Sequence, residues 1–253
     1  NHATPAAFYA QSDSRADYDE ITSQVFTAQC PADVIVGGGI YRKTWTDELI
    51  AEAAKEHGIK VFTLDNMADM TPEKVGKSRA LAFFDENDNK QLDYATSRTA
   101  ETREPRLADM TKQALDLLLA RGDKGFFMMV EGGSIDWAGH GNNIEQTVGE
   151  VLELDDAVAA AIDTLRKRGE LDDTLIVVTA DHETGGLTMT GPIGKTVKEA
   201  GKPVTKWSTG SHTAIPVIVY AQGPGAEAFG GKNDNTHVFR ALKAAMEGKA
   251  AAE

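Results

Sequence analysis

Cysteine is almost missing from this chain: Cys30 stands alone among 253 residues, so no intramolecular disulfide can form. Cysteine usage therefore does not report the redox compartment. Long apolar runs are missing too, and none approaches the ~20 residues that a membrane-spanning helix requires. Basic charge is in deficit. Lys and Arg number 26 against 39 Asp and Glu, a formal net charge of −13, whereas a face that binds nucleic acid is normally basic. The sequence opens Asn1-His2-Ala3, with neither an initiator methionine nor a signal-peptide pattern. It is therefore expected to be a processed chain or a piece of a longer one.

Apolar residues make up 41% of the chain, enough to build a substantial core at this length, and residues 1–253 are expected to form a single α/β domain. Most of the carboxylates read as solvated surface, although some can face bound cations, which a formal charge count omits.

Short apolar runs alternate with stretches of helical periodicity, the signature of an α/β fold. Predicted strands are Val34-Ile35-Val36, Val61 to Leu64, Ala80 to Phe84, Phe126 to Val130, Leu175 to Thr179 and Pro216 to Tyr220. Several lack polar alternation, as strands covered on both faces do. The expectation is a mostly parallel central sheet flanked by helices on both faces. The clearest helix follows Asn142, where Ile144, Val148, Val151, Leu154, Val158, Ile162 and Leu165 step by three or four. Asn142 and Glu145 resemble a capping box, and Arg166 to Arg168 precede a terminating Gly169. Further helices are predicted from Leu107 to Ala120, Thr46 to Glu56 and Thr236 to Met246. The polar stretch Gly191 to Thr209 reads as a long surface loop or lid.

Metal chemistry at neutral pH needs neutral imidazoles and carboxylates converging on one point. In open α/β sheets that point lies beyond the carboxyl ends of the strands. Three segments end in such residues. Glu131-Gly132-Gly133-Ser134-Ile135-Asp136-Trp137-Ala138-Gly139-His140 follows one predicted strand, and Ala180-Asp181-His182-Glu183-Thr184-Gly185-Gly186 follows another. Thr209-Gly210-Ser211-His212-Thr213 precedes the last. Asp136 and His140 are four apart, so a helical turn would place them on one face, although Gly139 and Gly141 argue against a regular helix. Any one of these histidines alone reads more readily as a satisfied structural residue; together they do not.

Other signals carry less. Gly37-Gly38-Gly39 lacks the spacing of a dinucleotide loop, and Asp85 to Asn89 lacks the Gly and closing Glu of a calcium loop. Ser134 lacks the second Gly of a nucleophile elbow. His57 suits a helix end, His237 the first turn of the terminal helix, and Trp45 and Trp207 packing or loop anchoring.

The three segments resemble the alkaline phosphatases: Glu-Gly-Gly-x-Ile-Asp-x-x-x-His, Thr-Ala-Asp-His-Glu-Thr-Gly-Gly and Gly-x-His-Thr occur in family order. His2-Ala3-Thr4-Pro5-Ala6-Ala7, Ser14-Arg15, Gly223-Pro224-Gly225-Ala226 and Asn235-Thr236 extend the resemblance over nearly the whole chain. It implies that Asp136, His140 and His212 hold one zinc, Asp181 and His182 a second, and Glu131 and Thr4 a magnesium. It implies that Arg15 grips the phosphate of a small phosphate monoester as a bidentate fork, in a two-metal in-line displacement. His2 and Trp137 stand beside these groups, His2 at a position that is Asp in some relatives and His in others, and Trp137 where other relatives carry Lys. Cys30 resembles half of a disulfide whose partner is absent. A periplasmic or extracellular location and a homodimer are further implications.

The family places its nucleophilic serine, and an aspartate bridging two of the metals, upstream of the segment matching His2. The expectation is therefore a C-terminal portion of a larger phosphatase domain, inactive by itself, with only the Asp136/His140/His212 zinc site complete. The alternatives are a related metallohydrolase of phosphodiesters, sulfate esters or phosphonates, and a metal-binding module without catalysis.

Overall fold

A computed structural model describes residues 1–40, 44–86, 91–122, 124–189 and 205–248. Most of the polar stretch Asp85 to Asn89 and residues 191–204 of the expected lid lie outside the described residues. The chain divides into two compact units, Asn1–Gly132 with Gly149–Thr164, and Gly133–Val148 with Leu165–Glu253.

The first unit is built on three parallel strands, β1 (Val34–Gly37), β2 (Ile59–Phe62) and β3 (Arg79–Phe83), in the order β1-β3-β2. Val34 pairs with Ala80, and Ile59 with Arg79. Side chains alternate along a strand, and the core divides accordingly. Ala80, Ala82 and Phe84 pack with Phe62, Met70, Val75, Met110 and Leu117, the last two from helix α4 (Leu107–Leu119). Leu81 points the other way, into Val25 and Phe26 of α1 (Tyr18–Thr27), Ile50 and Ala54 of α2 (Asp47–Glu56), and Ile59. A short α3 (Pro72–Val75) carries Val75. Helices therefore cover both faces of this sheet. β2 begins two residues before its predicted start because the exposed Lys60 joins the ladder through its backbone, which interrupts the apolar run by which strands are read.

Each predicted helix of this unit forms. The Thr46 hydroxyl caps α2 by accepting from Leu49 N at 3.3 Å, and His57 caps its other end. Trp45 packs as expected, stacked on Phe26 with its Nε1 donating to Asp19 O.

In the second unit, α5 (Ser134–His140) precedes three antiparallel pairs. β4 (Ile176–Val178) pairs with β9 (Tyr220–Gln222), β5 (Glu183–Thr184) with β8 (His212–Thr213), and β6 (Thr188–Met189) with β7 (Thr205–Lys206). The ladder near Pro216 starts only at Tyr220, and a proline has no N–H to donate. Phe126 to Val130 joins no ladder among the described residues. The fold is α/β, and its parallel sheet among these residues has three strands.

The longest helix, α6 (Ile144–Arg168), ends at Gly169 in the left-handed conformation with φ 76, as predicted. Its start differs by one residue. Asn142 itself takes φ 51, so the cap passes to Asn143, whose Oδ1 accepts from Gln146 N at 3.1 Å. Asn143→Ala is therefore expected to lower stability by about 1 kcal/mol, read as a shifted urea midpoint, whereas Asn142→Gly should not. The terminal helix, α7 (Asn235–Met246), begins with Asp234 accepting from Thr236 N at 3.0 Å. His237 lies in its first turn and bonds Ala228 O at 2.7 Å.

Candidate metal centre

The centre lies within the second unit. α5 forms although glycines at 139 and 141 argue against it. Gly139 is required there by close approach: a Cβ at 139 would lie 3.1 Å from Thr184 Cβ. Gly141 falls at the helix end rather than inside it. With the turn formed, Asp136 and His140 share a face, and the β5–β8 pair brings His212 to them.

Asp136, His140 and His212 form a group whose donor atoms all lie within 4.8 Å of one another. Nε2 of His140 is 3.1 Å from Nε2 of His212. Asp136 Oδ2 is 3.4 Å from His140 Nε2, and its Oδ1 is 3.4 Å from His212 Nε2. Four tetrahedral ligands held about 2.1 Å from zinc sit about 3.4 Å from each other, so the spacing suits that ion. The donor chemistry agrees. His140 Nδ1 is 2.7 Å from Gly210 O; a carbonyl only accepts, so Nδ1 carries the proton and Nε2 presents its lone pair. Asp136 is oriented by the Thr184 hydroxyl, which donates to Oδ1.

The ring of His182 stacks on that of His212, with centroids 3.5 Å apart and planes at 23°. Asp181 Oδ2 lies 3.1 Å from His182 Nε2. His182 is thus adjacent to the first group, and Asp181 lies beside His182. Beside them Glu183 is a carboxylate that the Thr213 hydroxyl, above all, holds below its usual range, with the backbone N–H groups of Leu187 and Gly186 adding to the effect against partial burial.

The remaining expected residues belong to the first unit, apart from Trp137, which is half-buried on α5. Thr4 stands at the N-cap position of the 3-10 turn Pro5–Phe8, with no side-chain capping bond. Phe8 in that turn stacks on Phe127 at 5.6 Å, so the chain around Thr4 packs against the segment that runs into the exposed Glu131. His2 stacks on Tyr18 at 6.3 Å. Arg15 is exposed. Cys30 is an exposed free thiol.

Three groups next to the candidate ligands escaped the sequence reading: the Gly210 carbonyl and Thr184, which bond His140 and Asp136, and Glu183, which follows His182. A signal for Thr184 was available. It stands two residues after His182, and alternation puts both on one face of a strand. Only the register across to His212 and Thr213 could expose the others.

A carboxylate and two imidazoles at this spacing, on an α/β scaffold, are a group that could hold a metal ion. The chain belongs to the alkaline phosphatase family, whose sequence model matches residues 1–206. It is 31% identical to alkaline phosphatase 3 of Bacillus subtilis, over 96% of this chain and 66% of that protein. It is 30% identical to the human tissue-nonspecific alkaline phosphatase, over 93% of this chain and 50% of that one. The chain thus spans between half and two thirds of these curated relatives. Among solved structures, the alkaline phosphatase of the Antarctic bacterium TAB5 is similar at 31% identity and a TM-score of 0.75, covering 97% of this chain and 69% of that one. A mutant of the same enzyme with Mg bound in its M3 site aligns at a TM-score of 0.78 and 28% identity, with the same coverage.

Proposed function

We propose that this chain carries the metal-binding part of a phosphate-monoester hydrolase of the alkaline phosphatase type. The observation behind the proposal is the mutual 3.1–3.4 Å spacing of Asp136, His140 and His212, the separation that zinc ligands take. In this reading those three residues hold one zinc, Asp181 and His182 contribute to a second, and Glu131 and Thr4 to a magnesium. Bound zinc would supply Lewis-acid polarisation of the phosphoryl group. The chain's own residues do the rest. Arg15 offers a planar fork to two phosphate oxygens, Thr184 fixes the carboxylate of Asp136, and the Gly210 carbonyl sets the tautomer of His140. His2 and Trp137 tune the polarity beside these groups.

The family reading extends further. It places residues 1–253 in the C-terminal part of one larger domain, with Phe126 to Val130 completing a larger, mostly parallel central sheet. It supports a periplasmic or extracellular location and a homodimer, and it leaves nucleic acid an unsuitable partner for so acidic a chain. Among the described residues, no helix is long and apolar enough to cross a membrane.

Hydrolysis of aryl phosphate monoester, diester and sulfate ester tests the reading, in protein that includes the serine-bearing segment the family resemblance places upstream of His2. With zinc and magnesium supplied, the monoester should turn over fastest by orders of magnitude; a preference for diester or sulfate would overturn the assignment. Residues 1–253 alone should turn over the monoester orders of magnitude more slowly, because nucleophile and metals act as a unit. Equal turnover by residues 1–253 would remove the need for that serine.

A further inference from the structure

We propose that Glu183 is a positioning residue of the metal centre, acting through a clasp on the opposite face of the β5–β8 ribbon from the metal ligands. The proposal rests on the reading of Asp136, His140 and His212 as a metal site. β5 and β8 contribute two residues each. A pair this short does not hold its own register, and a slip of one residue would turn His212 to the wrong face. Thr184 pairs with His212, and Glu183 with Thr213. Because cross-strand partners share a face, His182, Thr184 and His212 line the metal side while Glu183 and Thr213 meet behind it.

Glu183 is bonded there from three directions. Its Oε2 accepts from the Thr213 hydroxyl in a short hydrogen bond and from Gly186 N at 3.1 Å, and its Oε1 accepts from Leu187 N at 3.2 Å. One carboxylate therefore ties the partner strand, next to His212, to the turn that follows Thr184. That turn is closed from the other side as well. Gly185 N donates to Ser211 O at 2.9 Å, and Gly185 O accepts from Ser208 N at 3.0 Å. Gly185 and Gly186 both have positive φ, and a Cβ on Gly185 would come within 2.4 Å of the Trp207 ring. With the turn so constrained, the side chain of Thr184 has one place to go, its hydroxyl on Asp136 Oδ1 and 3.3 Å from His182 Nδ1. Glu183 itself is not in the ligand group. Its effect on the metal passes through His212, His182 and Thr184.

The test is zinc titration of the purified protein and its Glu183→Gln, Thr213→Val, Thr213→Ser and His140→Ala variants, each with its thermal midpoint measured in chelator and its cobalt(II) absorption spectrum recorded. Glutamine turns one acceptor oxygen into an N–H donor facing other donors, and valine removes the hydroxyl. Both are expected to weaken zinc about 10–100-fold, the range for groups that orient metal ligands, and to change the cobalt spectrum. Thr213→Ser keeps the hydroxyl and should restore wild-type affinity, which a purely steric role for the residue would not produce. Should Glu183→Gln fail to fold, the Thr213 pair decides by itself. If His140→Ala weakens zinc while Thr213→Val and a folded Glu183→Gln bind it like wild type, the clasp is refuted and the metal site stands. If wild type and His140→Ala both bind no zinc, the metal reading fails and the positioning role falls with it.

Discussion

Replacing His212 by alanine is expected to weaken zinc binding by about 100-fold. Zinc in small folding domains is worth roughly 10–16 kcal/mol over four ligands, so one ligand carries about 3 kcal/mol, which is a factor of about 100 in affinity. Of the three proposed ligands, His212 has the most to lose. Its Nε2 faces both His140 and Asp136, at 3.1 and 3.4 Å, and its ring supports that of His182. Its removal takes away one ligand and the stacking partner of another. Competition against a chromophoric chelator measures the change, and His57→Ala supplies the control, since His57 ends α2 and packs on Phe26. An unchanged affinity in His212→Ala, or an equal loss in His57→Ala, would show that zinc binds elsewhere or without specificity.

Phe84→Ala is expected to lower unfolding free energy by about 3–5 kcal/mol, the usual range for emptying a fully buried phenylalanine site. Phe84 has no exposed surface. It leaves the end of β3 where its N–H donates to Gly37 O and Gly38 O, both at 2.9 Å. Those bonds hold the backbone in place, while Phe62, Met70, Met110 and Leu117 surround the ring from β2, α4 and the connection between them. Walls drawn from several elements cannot collapse together into the vacated volume, so the loss should fall at the upper part of that range. Urea unfolding reads it as a lower midpoint at unchanged slope. A loss below about 1 kcal/mol would mean that the site relaxes or that the ring is not enclosed as described. Leu119→Ala, two residues past the packed Leu117 at the end of α4 and only partly buried, should cost less.

The elements legible in the sequence were those whose signal is local. α2, α4, α6 and α7 follow from apolar spacing and from capping residues within a few positions, and β1 and β3 from uninterrupted apolar runs. Errors arose where an element depends on its partner. Lys60 joins β2 through its backbone alone. Asn143 rather than Asn142 caps α6, because Asn142 takes a left-handed conformation. α5 tolerates Gly139 because a strand far away in sequence packs on it.

The candidate site divides in the same way. Residue types and spacing, with the order of the three motifs, were sufficient to nominate Asp136, His140, Asp181, His182 and His212, since ligand chemistry belongs to each side chain by itself. Convergence could not be read from the sequence. Asp136 and His212, 76 positions apart in sequence, are brought to 3.4 Å with the help of the β5–β8 register. That register also sends Glu183 and Thr213 to the back face and His182, Thr184 and His212 to the front. A side chain's chemistry is set by its own atoms. Its direction, and so whether it binds, orients a ligand or fastens the scaffold, is set by which strand lies beside it, and only the folded chain decides that.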